Sequence, residues 1–151
     1  MYTNLHTQAI GNFEDEPYWS SSETSATQVW AQSFANGAQI GTVGKNGTYN
    51  CRAARNFTDA AEAYDIGDTG PAGGWIFHIN SDPCIYYETA PLDNIGGSGS
   101  LAGGVWSNIQ NVAGGGTGTA IGTGAANTTA AVGVSGFIYG AVGLCDDYAV
   151  Y

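Results

Sequence analysis

The sequence predicts an α+β fold in which short strands dominate, and three observations carry that prediction. Apolar residues alternate or cluster in strand-length runs at 29–34, 49–53, 75–79 and 85–88. Glycine and other turn residues separate these runs, and Ala, Val, Ile, Leu and Tyr recur at helical spacings over 125–133 and 137–150. At 151 residues the chain has the length of one ordinary domain, enough to bury a core without metals or disulfides, so 1–151 is read as a single domain.

In chain order, residues 1–10 read as a short helix, because Tyr2, Leu5 and Ile10 recur at roughly helical intervals before Gly11 stops it. Over 29–34, Trp30 and Phe34 fall on one face; Tyr49, Cys51 and Ala53 alternate after the turn signal Lys45-Asn46-Gly47. The two segments together predict a hairpin. Residues 58–65, TDAAEAYD, offer Thr58 or Asp59 as an N-cap and good helix formers, but two turns are a marginal length, which leaves a short helix or a linker. The Gly/Pro cluster GDTGPAGG then leads into WIFHI at 75–79 and IYYE at 85–88, a meander. From Gly96 to Gly124, Val105, Trp106, Ile109, Val112 and Ile121 are isolated anchors, the pattern of ordered loops. Two short helices complete the chain.

Charge narrows the partners. Thirteen acidic residues against three basic ones give a formal charge of −10. Such a field repels phosphate backbones and anionic headgroups, so neither nucleic acid nor a membrane surface is expected as a partner. Only 11% of residues are charged and 24 are glycine, a bias that points to extracellular, cell-surface or virion proteins. No run is apolar enough to span a bilayer, and MYTNLHTQAI lacks the basic start and hydrophobic centre of a signal peptide. Cys51, Cys84 and Cys145 are an odd number without metal-type spacing, so at most one intrachain disulfide is possible.

Residues 18–57 carry most of the functional information. Trp19, Trp30, Phe34, Tyr49 and Phe57 are bulky anchors around a run of small polar residues, which contribute little to a core but suit adaptable contacts. A recognition surface is the natural reading, with Gln39, Asn46, Tyr49 and Asn50 as the ligand-binding candidates.

Several segments also resemble a known family. IGDTGPAGGWIFHI, YYETAPLDN, VWSNI, TGTAIGTGAANTTA and LCDDY resemble the first half of the bacterial and phage domain named after the Legionella collagen-like protein C-terminus, related to the Fibrobacter paralogous domain. YWSSSE, VWAQSF and YNCRAARNF resemble its second half. The order is reversed, with 1–65 similar to the C-terminal half and 66–151 to the N-terminal half. The segment resembling DW-x-LPS-x-x-EL that joins the halves in that family is not found here. The resemblance implies a C-type lectin-like fold, circularly permuted, with two small twisted antiparallel sheets and two short helices, used for adhesion or receptor binding. The same fold serves the variable proteins of diversity-generating retroelements, whose mutated positions cluster in the last strands and loops, and residues 24–50 share the small, polar, irregular look of those positions.

Candidate chemistry is sparse. Glu14-Asp15-Glu16 and Asp146-Asp147 offer oxygen ligands, but neither lies in an EF-hand loop and solvated surface charge is the expected role, so no metal is assigned. His78 sits inside WIFHI, where a hydrogen-bonded strand histidine is expected rather than a base. The serines occupy no GxSxG or SxxK context, and the glycine clusters match neither a Walker nor a Rossmann fingerprint. Arg52 and Arg55 are expected in internal ion pairs, with Glu23 as one partner, and Cys51 as a buried structural thiol. Sequons occur at Asn46, Asn56 and Asn127, relevant only in a glycosylating pathway.

These observations lead to a noncatalytic, cofactor-free recognition domain of a phage tail or bacterial surface protein, contacting a host-surface glycan or protein through residues 24–50. The alternative is a structural repeat of a fibre or particle decoration, present as tandem copies or a homo-oligomer.

Overall fold

The structure is a computed structural model that describes residues 1–81, 84–93 and 104–148. It is a mixed α+β arrangement of two three-stranded antiparallel sheets and two short C-terminal helices. Sheet one holds β1 (Pro17–Glu23), β2 (Gln28–Ser33) and β3 (Gln39–Gly44) in that spatial order. Sheet two holds β4 (Ala54–Thr58), β5 (Trp75–Ser81) and β6 (Cys84–Thr89) in the order β4-β6-β5. The helices are α1 (Gly124–Val132) and α2 (Ala141–Tyr148).

The meander at 75–89 and both helices agree with the sequence reading, α2 beginning only after Gly140 and residues 149–151 lying outside the described residues. The first hairpin differs. The partner of β2 is β3, through Val29↔Val43 and Ala31↔Ile40, and not residues 49–53, which contribute only the isolated bridges Tyr18↔Asn50 and Tyr49↔Gly104. The Lys45-Asn46-Gly47 turn follows β3 instead of closing the predicted hairpin, with the Gly47 amide donating to the Gly44 carbonyl. Gly41 and Gly44 hide β3 from an apolar pattern, and the structure fills the gap with Trp30, whose ring lies over Gly41. Trp30 is therefore not on the inward face, which Val29, Ala31 and Ser33 form, whereas Phe34 turns into the core just beyond the strand.

Three other segments differ in form. Residues 1–10 fold into a single 3-10 turn at His6–Gln8, although Leu5 is fully buried and Tyr2 and Ile10 pack beside it. Residues 58–65 form no helix; the Asp59 carboxylate accepts the Ala61 and Glu62 amides, a local turn that competes with helix formation. Of the predicted loop anchors Trp106 is buried, but Val112 and Ile121 are exposed.

Two apolar clusters hold the elements together. Leu5, Phe13, Tyr18, Phe34 and Phe77 form the first, with Phe13 stacked on Phe34 at 4.9 Å and Tyr18 tilted against it at 4.5 Å. Val29, Trp106, Ala131 and Val142 form the second, between sheet one and the helices. Both clusters mix residues from 1–65 with residues from 66–151, and β4 of the first segment pairs with β6 of the second. Among the described residues no helix is long and apolar enough to cross a membrane.

Candidate functional site

All three lysine and arginine side chains are used inside the fold. Lys45 pairs with Glu23 at 2.5 Å, Arg52 with Asp93 at 2.5 Å and Arg55 with Glu88 at 3.0 Å, so the sequence expectation of internal pairs holds for both arginines, while Glu23 belongs to Lys45 instead. Each carboxylate or its partner also fastens a glycine-containing loop. Glu23 accepts the Gly114 and Gly115 amides, and Lys45 donates to the Val112 carbonyl with its ammonium 4.9 Å from the Trp106 ring centroid. Glu88 accepts the Ala72 and Gly74 amides of the Gly/Pro cluster. Arg52 donates to the Gly11 carbonyl and lies over the Phe13 ring at 3.7 Å.

The third of these knots extends to Tyr18. Its hydroxyl donates to Asp93 at 2.7 Å and accepts the Glu14 amide. Burial first, and then the bond to Asp93, push its pKa up to about 12. A folded-state pKa raised above the ordinary 10 gives stability that is present below pH 10 and is lost as pH rises towards 12. Urea midpoints measured across that window are expected to fall with pH, and Tyr18→Phe to reduce the slope. Tyr64, pushed to about 12 by its hydrogen bond to Glu62, titrates in the same range. An unchanged slope in Tyr18→Phe would contradict the assignment.

On this frame the residues 24–50 present a polar outer surface. β3 is an edge strand on which Gln39, Ile40 and Thr42 are exposed, and Asn46 is exposed on the turn that follows. Tyr49 meets Trp19 edge to face at 4.6 Å, and Trp19 is itself fixed by donating its indole N–H to the Gly104 carbonyl at 2.7 Å. Gly47 lies under this pair, where a side chain would strike the Tyr49 ring.

No family model, curated protein or solved structure matches the chain. Asn46 precedes Gly47 in the turn after β3, and Tyr49 follows two residues later, its ring against Gly47. Gln39 sits at the far end of β3, roughly 17 Å along a six-residue strand, where it lines a separate depression of about 370 Å³ with Tyr2, Gln32 and His78. Asn50 points inward: it is 7% exposed and its side chain hydrogen-bonds Tyr18. Its backbone ties residue 50 to β1 through Pro17 and Trp19. The four candidates thus divide into exposed Asn46 and half-buried Tyr49 at one end, one distant residue and one interior residue.

A larger cleft, about 590 Å³, is walled by residues of β1, β2, β4, β5, β6 and both helices, and none of the four candidates lines it. Its two guanidinium groups, Arg52 and Arg55, are committed to Asp93 and Glu88. Trp19, an anchor in the sequence reading, is half-buried: opposite to buried Tyr18 along β1, it packs against the second cluster and lines this cleft while meeting Tyr49 edge to face.

Proposed function

We propose that this chain is a noncatalytic recognition domain with a permuted C-type lectin-like fold, belonging to a phage tail or bacterial surface protein. It binds a host-surface glycan or protein through the outer surface of residues 24–50. The observation that carries this reading is the half-buried Trp19–Tyr49 edge-to-face pair, anchored through Trp19 to the Gly104 carbonyl, with exposed Asn46 in the turn three positions before Tyr49. Aromatic rings stack on the apolar faces of sugars or side chains and amides hydrogen-bond to their hydroxyls, and fixing both beforehand lowers the entropy lost on binding. The permuted reading is supported by two small antiparallel sheets with two short helices, and by the way residues 1–65 and 66–151 share sheet two and both cores.

A bacterial-glycan array probed with the purified chain, followed by titration of the best oligosaccharide through tryptophan fluorescence, tests the site. Tyr49→Ala and Asn46→Ala are each expected to weaken binding about ten-fold, the loss of one contact worth roughly 1.4 kcal/mol. Gln39→Ala, at the other end of β3, is expected to have a smaller effect. Wild-type affinity in both Tyr49→Ala and Asn46→Ala, with the fold intact by circular dichroism, would remove this surface from consideration.

A further inference from the structure

We propose that Cys51 and Cys145 are a disulfide-forming pair that staples α2 to the segment entering β4. Their sulfurs are 3.2 Å apart although 94 positions separate them in the chain. A disulfide needs sulfurs at about 2.05 Å, so closure requires an approach of little more than an ångström. The two thiols differ in access. Cys51 is buried, 4% exposed, beside the Ala141 carbonyl, whereas Cys145 is half-buried on α2 and lines the larger cleft. Cys84 is exposed at the start of β6 and serves as an internal control.

The chemistry follows from that difference in access. A low-molecular-weight disulfide such as oxidised glutathione is the oxidant. The Cys145 thiolate, having released its proton to solvent, attacks one sulfur of the reagent and expels the first glutathione as thiolate, leaving a mixed disulfide on Cys145. Cys51 then gives up its proton, attacks the Cys145 sulfur and expels the second glutathione. One S–S bond is made and one is broken, two protein thiols are oxidised and one glutathione disulfide is reduced to two thiols. The hydrogen bond to Cys145 and burial hold the Cys51 thiol well above its usual pKa, which suits the role of the second, resolving sulfur. At eight residues α2 is too short to persist alone, so the cross-link adds a covalent tie to an element otherwise held by packing and by the Ala141 and Val142 amides on the Val105 and Trp106 carbonyls.

The test is peptide mapping of the intact folded chain after incubation with oxidised glutathione, with iodoacetamide trapping and peptic digestion under non-reducing conditions. The expected result is a linked pair of peptides containing Cys51 and Cys145, with Cys84 joined to neither and carrying a single glutathione or an alkyl group, and the same linked pair in Cys84→Ala. The oxidised wild type is expected to melt roughly 10 °C higher than the reduced form, a difference absent in Cys145→Ala. Alkylation of both Cys51 and Cys145 after oxidation, a bond joining Cys84 to either of them, or a disulfide found only between chains would overturn the proposal. Because the readout is covalent and needs no ligand, it succeeds or fails independently of the glycan titration.

Discussion

Lys45→Ala is expected to destabilise the fold by about 3–5 kcal/mol, a large share of the roughly 5–15 kcal/mol that keeps a domain folded. The Lys45 and Glu23 side chains are each 1% exposed, so removing the ammonium leaves a carboxylate in the interior with only the Gly114 and Gly115 amides to face it. The same substitution strips the Val112 carbonyl of its donor and the Trp106 ring of its cation. Burying an uncompensated charge is far worse than never having had the pair, which gives the experiment its second arm. Glu23→Gln combined with Lys45→Met removes both charges while keeping an amide oxygen for the glycine N–H groups, and is expected to recover more than half of the loss. Urea unfolding of the three proteins checks this. A Lys45→Ala midpoint close to wild type would mean that water or a rearranged loop already solvates Glu23.

Gly74→Ala is expected to be the most damaging added methyl among the described glycines. A Cβ at this position would stand 1.6 Å from the Thr89 carbonyl oxygen and 2.8 Å from its carbon, atoms that β6 holds in register with Trp75. No rotamer relieves a clash with backbone, so either the turn or the strand must move. Movement of the turn also withdraws the Gly74 amide from Glu88, whose carboxylate is fully buried and is the partner of Arg55. The expected loss exceeds about 4 kcal/mol, the range reserved for a broken buried network. Gly73→Ala is the comparison within the same turn: its φ of +80° disfavours a side chain, but nothing lies within 4 Å, so the loss is about 1–2 kcal/mol. Equal stability of the two variants would show that the turn, and not Gly74 alone, absorbs the strain.

How much of this was legible in the sequence depends on what the residues bury. Trp75–Ser81 and Cys84–Thr89 announce themselves because Ile76, Phe77 and Tyr86 are apolar residues in β-rich runs. The helices were found from their spacing. β1 and β3 were not, since β1 turns Ser22 and Glu23 inward and β3 presents mostly exposed residues and two glycines. Periodicity registers apolar side chains, and it is silent where a strand buries hydrogen-bonded polar ones. The ion pairs were expected but not their partners, because Lys45–Glu23, Arg52–Asp93 and Arg55–Glu88 span 22, 41 and 33 positions and only the tertiary fold brings them together. At the candidate surface Tyr49 and Asn46 could be chosen from residue type alone. Asn50 could not be separated from them, because an asparagine that satisfies a buried tyrosine has the same composition signal as one that waits for a ligand.

The internal use of Lys45, Arg52 and Arg55 has a consequence for how this molecule meets proteases. Trypsin cleaves only after lysine or arginine, and all three such residues have side chains at most 17% exposed and held by a carboxylate. The specificity pocket of a trypsin-like enzyme must extract one of these side chains to cut, which means opening a knot that also fastens a loop. Cleavage therefore follows the population of opened molecules rather than the accessibility of the native surface. For a chain exposed to digestive or host proteases of that specificity, the arrangement that fixes its loops also conceals every bond they recognise.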